Sequence, residues 1–362
     1  MNNSLNIDII KSSISKFNEF DLETAEFGKT PTDHMFVAEY RNGNWSNFRV
    51  MPFQPLQLSP FNLSLHYGQT VFEGMKAYRM ENGNISVFRV KKHWERFNNS
   101  LKRMAMAEIP FEIFQQGLHA YLTVDNIWIP SVEDSSLYLR PFMIAYEDRV
   151  RVKVAENFLF LIVGTPAKQY YAKPLNLYVE THYSRAASGG TGNAKCGGNY
   201  GGAFYPTSLA IKKGFDQVLW TDASTHQFIE ESGTMNVMFV IDGKLITPAL
   251  TDTILEGVTR DSIITLAKDM GIAVEEKKIS IDELENAFQK GLVQEAFGAG
   301  TAAIVAPIGS ITFENHTYHL PPYSENTLMF QLKKQLNDIR TGKIDDKYQW
   351  NDVIYVSNRV NP

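Results

Sequence analysis

The chain has 362 residues, which is long for one hydrophobic core and favours two domains. Hydrophobic residues make up 44% and the net charge is -5 without a basic stripe, so we expect a globular protein that does not bind nucleic acid. The single cysteine, Cys196, excludes an internal disulfide framework and fits a reducing compartment. Residues 1–20 resemble neither a secretory signal nor a transit peptide, and no apolar run approaches the roughly 20 residues that cross a bilayer. We therefore expect a cytoplasmic protein with no membrane partner.

Two tight turns predict β-hairpins in the first half of the chain. Asn42-Gly43-Asn44 joins two alternating runs within residues 34–54, and Asn82-Gly83 does the same within residues 77–90. Asn-Gly pairs favour the left-handed backbone that short hairpin turns require. Both segments are therefore interpreted as pairs of antiparallel strands.

A helix beginning at Lys91 is predicted next, because apolar residues recur at spacings of three and four. These residues are Trp94, Phe97, Leu101 and Met104. Residues 136–146 and 157–164 follow as strands, and the second is apolar enough to be central in a sheet. Pro166 and Pro174 then mark a domain boundary. We predict an N-terminal domain (1–168), a linker (169–176) and a C-terminal domain (177–362).

The second half alternates strands with separate helices. The predicted strand segments are residues 215–223, 227–248, 272–280 and 293–308. Residues 257–271 and 280–291 read as helices, the second with Ser280 as its N-cap. Hairpin-joined strands with helices set apart indicate an α+β fold rather than a doubly wound parallel sheet.

Lys195 lies in a glycine-rich stretch, GGTGNAKCGGNYGG, that runs from Gly189 to Gly202. Such a costly backbone is typical of places where the chain passes close to something other than a side chain. Neither GxxxxGK[ST] nor GxGxxG is matched, because Cys196 follows the lysine and Lys195 occupies the place of the third glycine. The lysine could be a phosphate clamp, a Schiff-base former or a surface residue. A Schiff base fits better than a phosphate clamp, because small apolar neighbours favour a neutral, nucleophilic amine, but a surface lysine in a flexible glycine loop explains this stretch equally well when it is taken alone.

Two acidic residues, Glu230 and Glu231, stand at the mouth of the apolar strand MNVMFV. A carboxylate beside a buried strand is costly unless a cation or a strong donor pairs with it, and a protonated pyridine nitrogen would serve. A solvated hairpin end is a good explanation for Glu230 and a weaker one for Glu231.

Several candidate phosphate donors complete the pattern. Val258 and Thr259 carry the unpaired amides of a helix start in EGVTRDS, and Thr301 offers a hydroxyl in the turn FGAGTAA. Arg96 lies on the helix from Lys91, where an ordinary exposed arginine is the better explanation if nothing else is considered. A lysine for an aldehyde, a carboxylate for a ring nitrogen and donors for a phosphate together describe pyridoxal 5'-phosphate.

Six motifs occur in the order and spacing found in the branched-chain amino acid aminotransferases. They are HYGQTVFEGMKAYR (66–79), LYLRPF (137–142), AKCGGNY (194–200), EESGTMN, EGVTRDS and FGAGTAA. The chain resembles this family from about Asp33 to Trp350. The resemblance implies a two-domain fold-type IV protein with a smaller N-terminal α/β domain and a larger C-terminal domain that contains a pseudo-barrel. It also implies a homodimer that uses pyridoxal 5'-phosphate to transfer amino groups between L-leucine, L-isoleucine or L-valine and 2-oxoglutarate, which gives branched 2-oxo acids and L-glutamate.

The resemblance also assigns roles to residues. Lys195 matches the lysine that bonds to the cofactor and moves the substrate's Cα proton, Tyr200 the contact to the phenolate oxygen, and Glu231 the partner of the pyridine nitrogen. The implied phosphate contacts are Arg96, Val258, Thr259 and Thr301. The implied substrate contacts are Tyr67, Phe72, Tyr138, Arg140, Thr234, Thr301 and Ala302. No metal is expected.

The sequence departs from the family's pattern in places. Ala303 and Ala306 replace the redox-active cysteines of some relatives, which excludes a thiol switch there. The family's linker tyrosine matches Tyr170 or Tyr171, and the loop at Val150–Val152 is a poor match to one that reaches the neighbouring subunit.

Three alternatives compete with this interpretation. A D-amino acid aminotransferase and an aminodeoxychorismate lyase share the fold, but both are usually shorter and lack the EGMKAYR and LYLRPF pairing. A non-catalytic nucleotide-binding module is disfavoured because both phosphate-loop patterns fail.

Overall fold

The computed structural model describes residues 4–168 and 173–356. Contacts divide the chain into two compact units, residues 1–170 with 338–362, and residues 171–337. Each unit contains one sheet. The predicted linker falls partly outside the described residues, as do Tyr170 and Tyr171, so both remain predictions. Within the described ranges, no helix is long and apolar enough to span a membrane.

The sheet of the first unit has the strand order β1-β3-β2-β8-β7-β5-β6-β19, with β4 paired to β7. Its strands are β1 (Asp8–Ile9), β2 (His34–Arg41), β3 (Asn44–Pro52), β4 (Thr70–Phe72), β5 (Met75–Arg79), β6 (Ile85–Phe88), β7 (Ser136–Ala145), β8 (Phe158–Ala167) and β19 (Asn351–Ile354). The strand predicted over residues 157–164 is confirmed as β8, which lies centrally between β2 and β7. Because β19 pairs with β6, the end of the chain belongs to this unit, whereas the predicted division placed it with residues 177–337.

Both predicted hairpins are confirmed. The β2–β3 turn has positive φ at Asn42 (52°) and Gly43 (79°), and the β5–β6 turn has positive φ at Gly83 (83°). These left-handed conformations are the ones that Asn and Gly adopt at low cost, which is why the sequence pattern identified the turns.

Within the described residues, three α-helices lie wholly in the first unit: α1 (Leu63–Tyr67), α2 (Val90–Arg103) and α3 (Phe111–Val124). The helix predicted from Lys91 is confirmed as α2, whose Phe97 and Leu101 are fully buried. The α3 helix was not predicted. Its Gly117 lies against the ring of Phe36, where a Cβ atom would approach to 2.5 Å.

Six strands of the second unit close into a barrel, because β12 pairs with both β11 and β16 in the ring β12-β16-β17-β9-β10-β11. The strands of this unit are β9 (Leu175–Glu180), β10 (Gln217–Thr221), β11 (Phe228–Ser232), β12 (Met235–Ile241), β13 (Lys244–Pro248), β14 (Val274–Lys277), β15 (Ile279–Ser280), β16 (Val293–Gly300), β17 (Ile304–Phe313) and β18 (His316–His319). The barrel core contains Leu177, Val237 and Phe239, all fully buried. The α+β prediction, including the pseudo-barrel, is confirmed.

Four further α-helices of the described residues lie between these strands or after them: α4 (Gly197–Lys212), α5 (Val258–Asp269), α6 (Ile281–Gln289) and α7 (Leu328–Thr341). The helices predicted over residues 257–271 and 280–291 are confirmed as α5 and α6. Ser280 is the N-cap of α6, and its side chain accepts the amide of Glu283 at 3.0 Å. The α4 and α7 helices were not predicted, and the last part of the glycine-rich stretch, residues 197–202, forms the start of α4.

Candidate active site

One end of the barrel gathers two hairpin turns that carry predicted site residues. Glu231 on β11 pairs with Asn236 on β12, and Asn236 pairs with Ala299 on β16. The β11–β12 turn, which contains Thr234, therefore lies beside the β16–β17 turn at residues 301–303. The strand register thus brings Glu231, Thr234, Thr301 and Ala302 to the same end.

Lys195 and Tyr200 are placed together by the start of α4. Lys195 directly precedes Cys196, the N-cap residue, and Tyr200 lies in the first turns of the helix. The Lys195 Nζ atom donates a hydrogen bond to the Tyr200 hydroxyl at 2.8 Å. The lysine is half-buried, so its amine is held in a defined position beside a polar partner.

An open pocket lies at this position. Its lining includes Tyr200, Glu231 and Thr234 from the predicted set, and Arg185 and Leu255, which the sequence did not identify. Because Lys195 bonds to Tyr200, the lysine lies beside the pocket that is also lined by Glu231, the predicted partner of the ring nitrogen. Among residues 4–168 and 173–356, no group of three His, Cys, Asp or Glu side chains could hold a metal ion.

Glu231 is 3% exposed and both of its carboxylate oxygens have partners. Oε1 accepts the backbone amide of Leu255 at 2.7 Å, and Oε2 lies 3.3 Å from Arg185 Nε. A buried carboxylate requires such partners, because burial without them is costly. That requirement was the only sequence signal for Arg185, since no spacing pattern connects it to Glu231.

Glu230 is also buried, at 7% exposed, so its interpretation as a solvated hairpin end is wrong. Its Oε1 accepts the Thr253 hydroxyl at 2.5 Å, and its Oε2 has no hydrogen-bond partner among the described residues. Burial raises the pKa of Glu230, against the opposing effect of the Thr253 hydrogen bond. The two neighbouring glutamates thus have different surroundings, and only Glu231 is in direct contact with an arginine.

The start of α5 lies where the sequence predicted a helix start, and it has no side-chain cap. Val258 and Thr259 are its first residues, and the N-cap, Gly257, has no side chain to bond to their amides. Uncapped amides at a helix start attract anions through both hydrogen bonding and the helix dipole. Both residues are almost completely buried, so the amides are sheltered from bulk water.

The β16–β17 turn contains an unusual backbone conformation. Ile304, directly after the turn, has φ of 65° although it is β-branched and buried. Positive φ is strained for such a residue, and strain of this kind clusters at functional sites. Thr301 and Ala302, in the same turn, are half-buried and keep part of their surface accessible to a ligand.

Glycine is required at position 192 because a second segment of main chain passes close to it. A Cβ atom at Gly192 would lie 2.6 Å from the Thr253 Cα and carbonyl oxygen. The Asn193 amide donates to the Asp252 carbonyl at 3.0 Å, which fixes the same crossing. By contrast, a Cβ atom at Gly198 would meet nothing within 4 Å.

A second cluster of predicted site residues lies in the first unit, around Arg96. Arg96 is 7% exposed, so its interpretation as an exposed arginine is wrong. Its Nε and Nη2 donate to the two oxygens of Glu73 at 2.7 and 2.8 Å, and His93 Nδ1 lies 2.9 Å from Glu73 Oε2. Burial alone would raise the pKa of Glu73, but the Arg96 charge and the hydrogen bonds from His93 and Arg96 hold it well below its ordinary value.

The predicted carboxylate receptors Tyr138 and Arg140 also lie in this unit. They are two residues apart on β7, and Arg140 Nη2 donates to the Tyr138 hydroxyl at 3.0 Å. The Arg140 guanidinium lies over the ring of Phe72 at 4.6 Å, as in a cation–π contact. Phe27, which the sequence did not identify, packs edge-on against Tyr138 with ring centres 5.1 Å apart. Tyr67, the remaining predicted wall residue, is partly exposed and donates to the Val150 carbonyl.

Substitution of Gly192 tests the close backbone crossing. Gly192→Ala is expected to destabilise the protein by about 1–3 kcal/mol, because the added methyl overlaps main-chain atoms that cannot move separately. The matched control, Gly198→Ala, places the same methyl in open space on α4 and is expected to be neutral or stabilising. Urea unfolding midpoints of both variants measure the difference, and equal midpoints would contradict the proposed crossing.

Substitution of Glu73 tests the buried ion pair. Glu73→Gln leaves the Arg96 charge buried without its partner and is expected to cost about 3 kcal/mol of unfolding free energy at neutral pH. A folded-state pKa below the ordinary 4.5 stabilises the fold above that pH, and this contribution is lost as the pH falls. The difference from wild type should therefore shrink below about pH 4.5. Urea unfolding at neutral pH and below pH 4.5 measures this difference. The control is Glu26→Gln, which removes an exposed ion pair with Lys29 and should leave the unfolding midpoint unchanged under both conditions.

Comparison with known proteins identifies the family. A family model described as amino-transferase class IV matches residues 70–311. Branched-chain-amino-acid aminotransferase 2 of Bacillus subtilis (strain 168) is 40% identical over 334 residues, which are 91% of this chain and 92% of that protein. The branched-chain aminotransferase of Thermoproteus uzoniensis, solved with norvaline, has a TM-score of 0.74 at 25% identity and covers 89% of this chain and 100% of that one. The branched-chain amino acid aminotransferase of T.th., complexed with N-(5'-phosphopyridoxyl)-L-glutamate, has a TM-score of 0.69 at 25% identity, with 87% and 97% covered. This chain belongs to the class IV aminotransferases.

Proposed function

We propose that this chain is a branched-chain amino acid aminotransferase. It transfers the amino group reversibly between L-leucine, L-isoleucine or L-valine and 2-oxoglutarate, with pyridoxal 5'-phosphate as cofactor. The observation that carries the proposal is the Lys195 amine, held 2.8 Å from the Tyr200 hydroxyl beside a pocket that Glu231 also lines. The 40% identity to a branched-chain aminotransferase supports the substrate class.

The groups present fit pyridoxal 5'-phosphate. Glu231 offers a buried carboxylate for the ring nitrogen, Tyr200 a hydroxyl for the phenolate oxygen, and the uncapped start of α5 amides for the phosphate. We assign Thr301 and Arg96 to the phosphate as well. When bound, this cofactor supplies an electron sink for the negative charge that develops at the substrate's Cα.

Lys195 is the proposed proton carrier. The Tyr200 hydroxyl orients its amine, which with the cofactor bound would take the proton from the substrate's Cα. The Leu255 amide donates to Glu231 and the Arg185 side chain lies beside it, and both contacts are of the kind that suits an ionised carboxylate. A charged Glu231 in turn favours protonation of a ring nitrogen placed against it.

The substrate contacts combine apolar rings with a cation. We assign Phe72 and Tyr67 to the walls of the side-chain site, and Tyr138 and Arg140 to the carboxylates. A site of this composition can accept both an isobutyl group and a carboxyethyl group, because apolar walls suit the first and the guanidinium suits the second. We assign the amides of Thr301 and Ala302 to the substrate carboxylate as well, and Thr234 is a further proposed substrate contact.

We further propose that the protein is a homodimer that works in the cytoplasm. Three large apolar side chains on α4 support association, since Phe204, Tyr205 and Ile211 are 70%, 61% and 58% exposed. The single, buried Cys196 is in keeping with a reducing compartment.

An amino-donor panel tests the function. With 2-oxoglutarate as acceptor, L-leucine should give glutamate readily, while D-alanine and aminodeoxychorismate should not react. Lys195→Ala should still bind the cofactor but lose at least about 10³-fold in rate, because it lacks the proton carrier. Borohydride reduction and peptide mass mapping should find the cofactor on Lys195 in wild type alone. Turnover of D-alanine in preference to L-leucine, or an adduct at another lysine, would contradict the proposal.

The adjacent glutamates provide a matched pair of variants. Glu231→Gln should bind the cofactor yet slow the reaction on the order of 10²-fold, because an amide cannot hold the ring nitrogen protonated. Glu230→Gln makes the same change in the preceding residue. Thr253 can still donate to the side-chain oxygen there, so this variant should keep most of the activity. Single-turnover rates with L-leucine measure both, and equal losses would remove the role assigned to Glu231.

A further inference from the structure

The main chain of Leu255 is held on both sides by one cross-strand pair. Its amide donates to Glu231 Oε1 at 2.7 Å, and its carbonyl accepts from Asn236 Nδ2 at 3.0 Å. Glu231 and Asn236 face each other directly across β11 and β12. Leu255 is half-buried, and these two hydrogen bonds hold its main chain against the strand pair.

Asn236 also contacts the residue that begins α5. A Cβ atom at Gly257 would lie 1.9 Å from Asn236 Oδ1, so the amide group occupies the space beside this N-cap. Asn236 is 6% exposed, which leaves its amide little room to move. It therefore touches both ends of the turn formed by residues 255–257, which precedes the amides of Val258 and Thr259.

We propose that Asn236 is a positioning residue that fixes the start of α5 relative to Glu231. This inference rests on the proposed function, in which Glu231 receives the ring nitrogen and the start of α5 receives the phosphate. The ring and the phosphate belong to one small ligand and are joined by a single CH2–O link, so the separation between the carboxylate and the helix start is confined to a narrow range. Asn236 couples Glu231 to the start of α5. It is the cross-strand partner of Glu231, and it bonds to the turn that leads into α5.

The chemistry of this position favours asparagine. The Leu255 carbonyl requires a donor, and the space beside Gly257 admits only a short side chain. Aspartate has the right shape but presents an acceptor to the carbonyl and a second charge near Glu231. Alanine leaves the carbonyl without its donor.

Loss of Asn236 should affect the phosphate more than the ring. Glu231 has a second anchor in Arg185, so it stays in place when Asn236 is removed. The turn at residues 255–257 loses its carbonyl anchor and the contact at Gly257. The amides of Val258 and Thr259 follow this turn and should lose their alignment.

The first test compares ligand binding with and without the phosphate. The apoprotein of wild type, Asn236→Ala and Asn236→Asp is titrated with pyridoxal 5'-phosphate and with pyridoxal. Asn236→Ala should weaken binding of the phosphorylated compound about tenfold or more and that of pyridoxal less than about threefold. Asn236→Asp should show a similar loss at pH 8 that diminishes toward pH 5, because a protonated carboxyl can donate to the Leu255 carbonyl. Equal weakening of both compounds, or no change, would overturn the inference.

The second test needs no cofactor. Hydrogen exchange of the peptide covering residues 253–260 should be about tenfold faster in apo Asn236→Ala than in apo wild type. Asn176→Ala is the matched control, because it removes an amide that bonds to Asp216 and Ser310 away from the pocket. It should change neither the exchange of residues 253–260 nor the preference for the phosphorylated compound.

The outcomes separate this inference from the proposed function. Wild type that binds pyridoxal 5'-phosphate no better than pyridoxal would overturn the phosphate role of α5, and the inference with it. Wild type with a clear phosphate preference that Asn236→Ala and Asn236→Asp both keep would overturn the inference alone. Faster exchange with an intact preference would mean that Asn236 only stabilises the turn, which also contradicts a positioning role.

Discussion

The pairing of β12 with both β16 and β11 is the constraint on which the second unit depends. Pairing to β16 on one side and to β11 on the other closes the barrel and fixes the register of both hairpin turns. A slip of one residue would turn every side chain of the strand to the opposite face, so Glu231 and Asn236 would no longer meet. The location of the chemistry is therefore a consequence of strand register, and the loops that carry Lys195 and Leu255 are fastened to this fixed frame.

Each unit buries a glutamate against an arginine, and the contacts differ in a way that suits their roles. Glu73 receives two donors from Arg96 and lies near His93, so its charge is fully compensated inside the first unit. Glu231 makes a longer contact with Arg185 and accepts one main-chain amide, which leaves its carboxylate on the pocket wall. Within the described part of the chain, no cation contacts Glu230 directly, and burial raises its pKa. Proximity in sequence therefore says little about charge state, which is decided by what packs against each carboxylate.

The sequence predicted those features whose cause is local. Asn-Gly turns located both early hairpins, apolar spacing located α2, and Ser280 located the start of α6. The sequence analysis did not identify Arg185, Leu255 and Phe27. Each contacts its partner only after the chain has folded, at sequence separations that no local pattern encodes. Family motifs supplied the site residues, but they did not show that Arg96 is buried or that Glu230 is enclosed.

The α4 helix was not predicted for a different reason: its sequence disfavours a helix. Glycines at its start and Pro206 inside it oppose helix formation, each glycine by about 1 kcal/mol relative to alanine. The helix is nevertheless required where it is, because its first turns bring the Tyr200 hydroxyl to the Lys195 amine. Among the described residues, added Cβ atoms at Gly198, Gly201 and Gly202 would meet nothing, so packing within this unit does not explain these glycines. The same helix exposes the large apolar side chains Phe204, Tyr205 and Ile211, a surface that we proposed above is covered by a second subunit. The low intrinsic stability of α4 is thus consistent with a helix that is completed by the second subunit of the proposed homodimer.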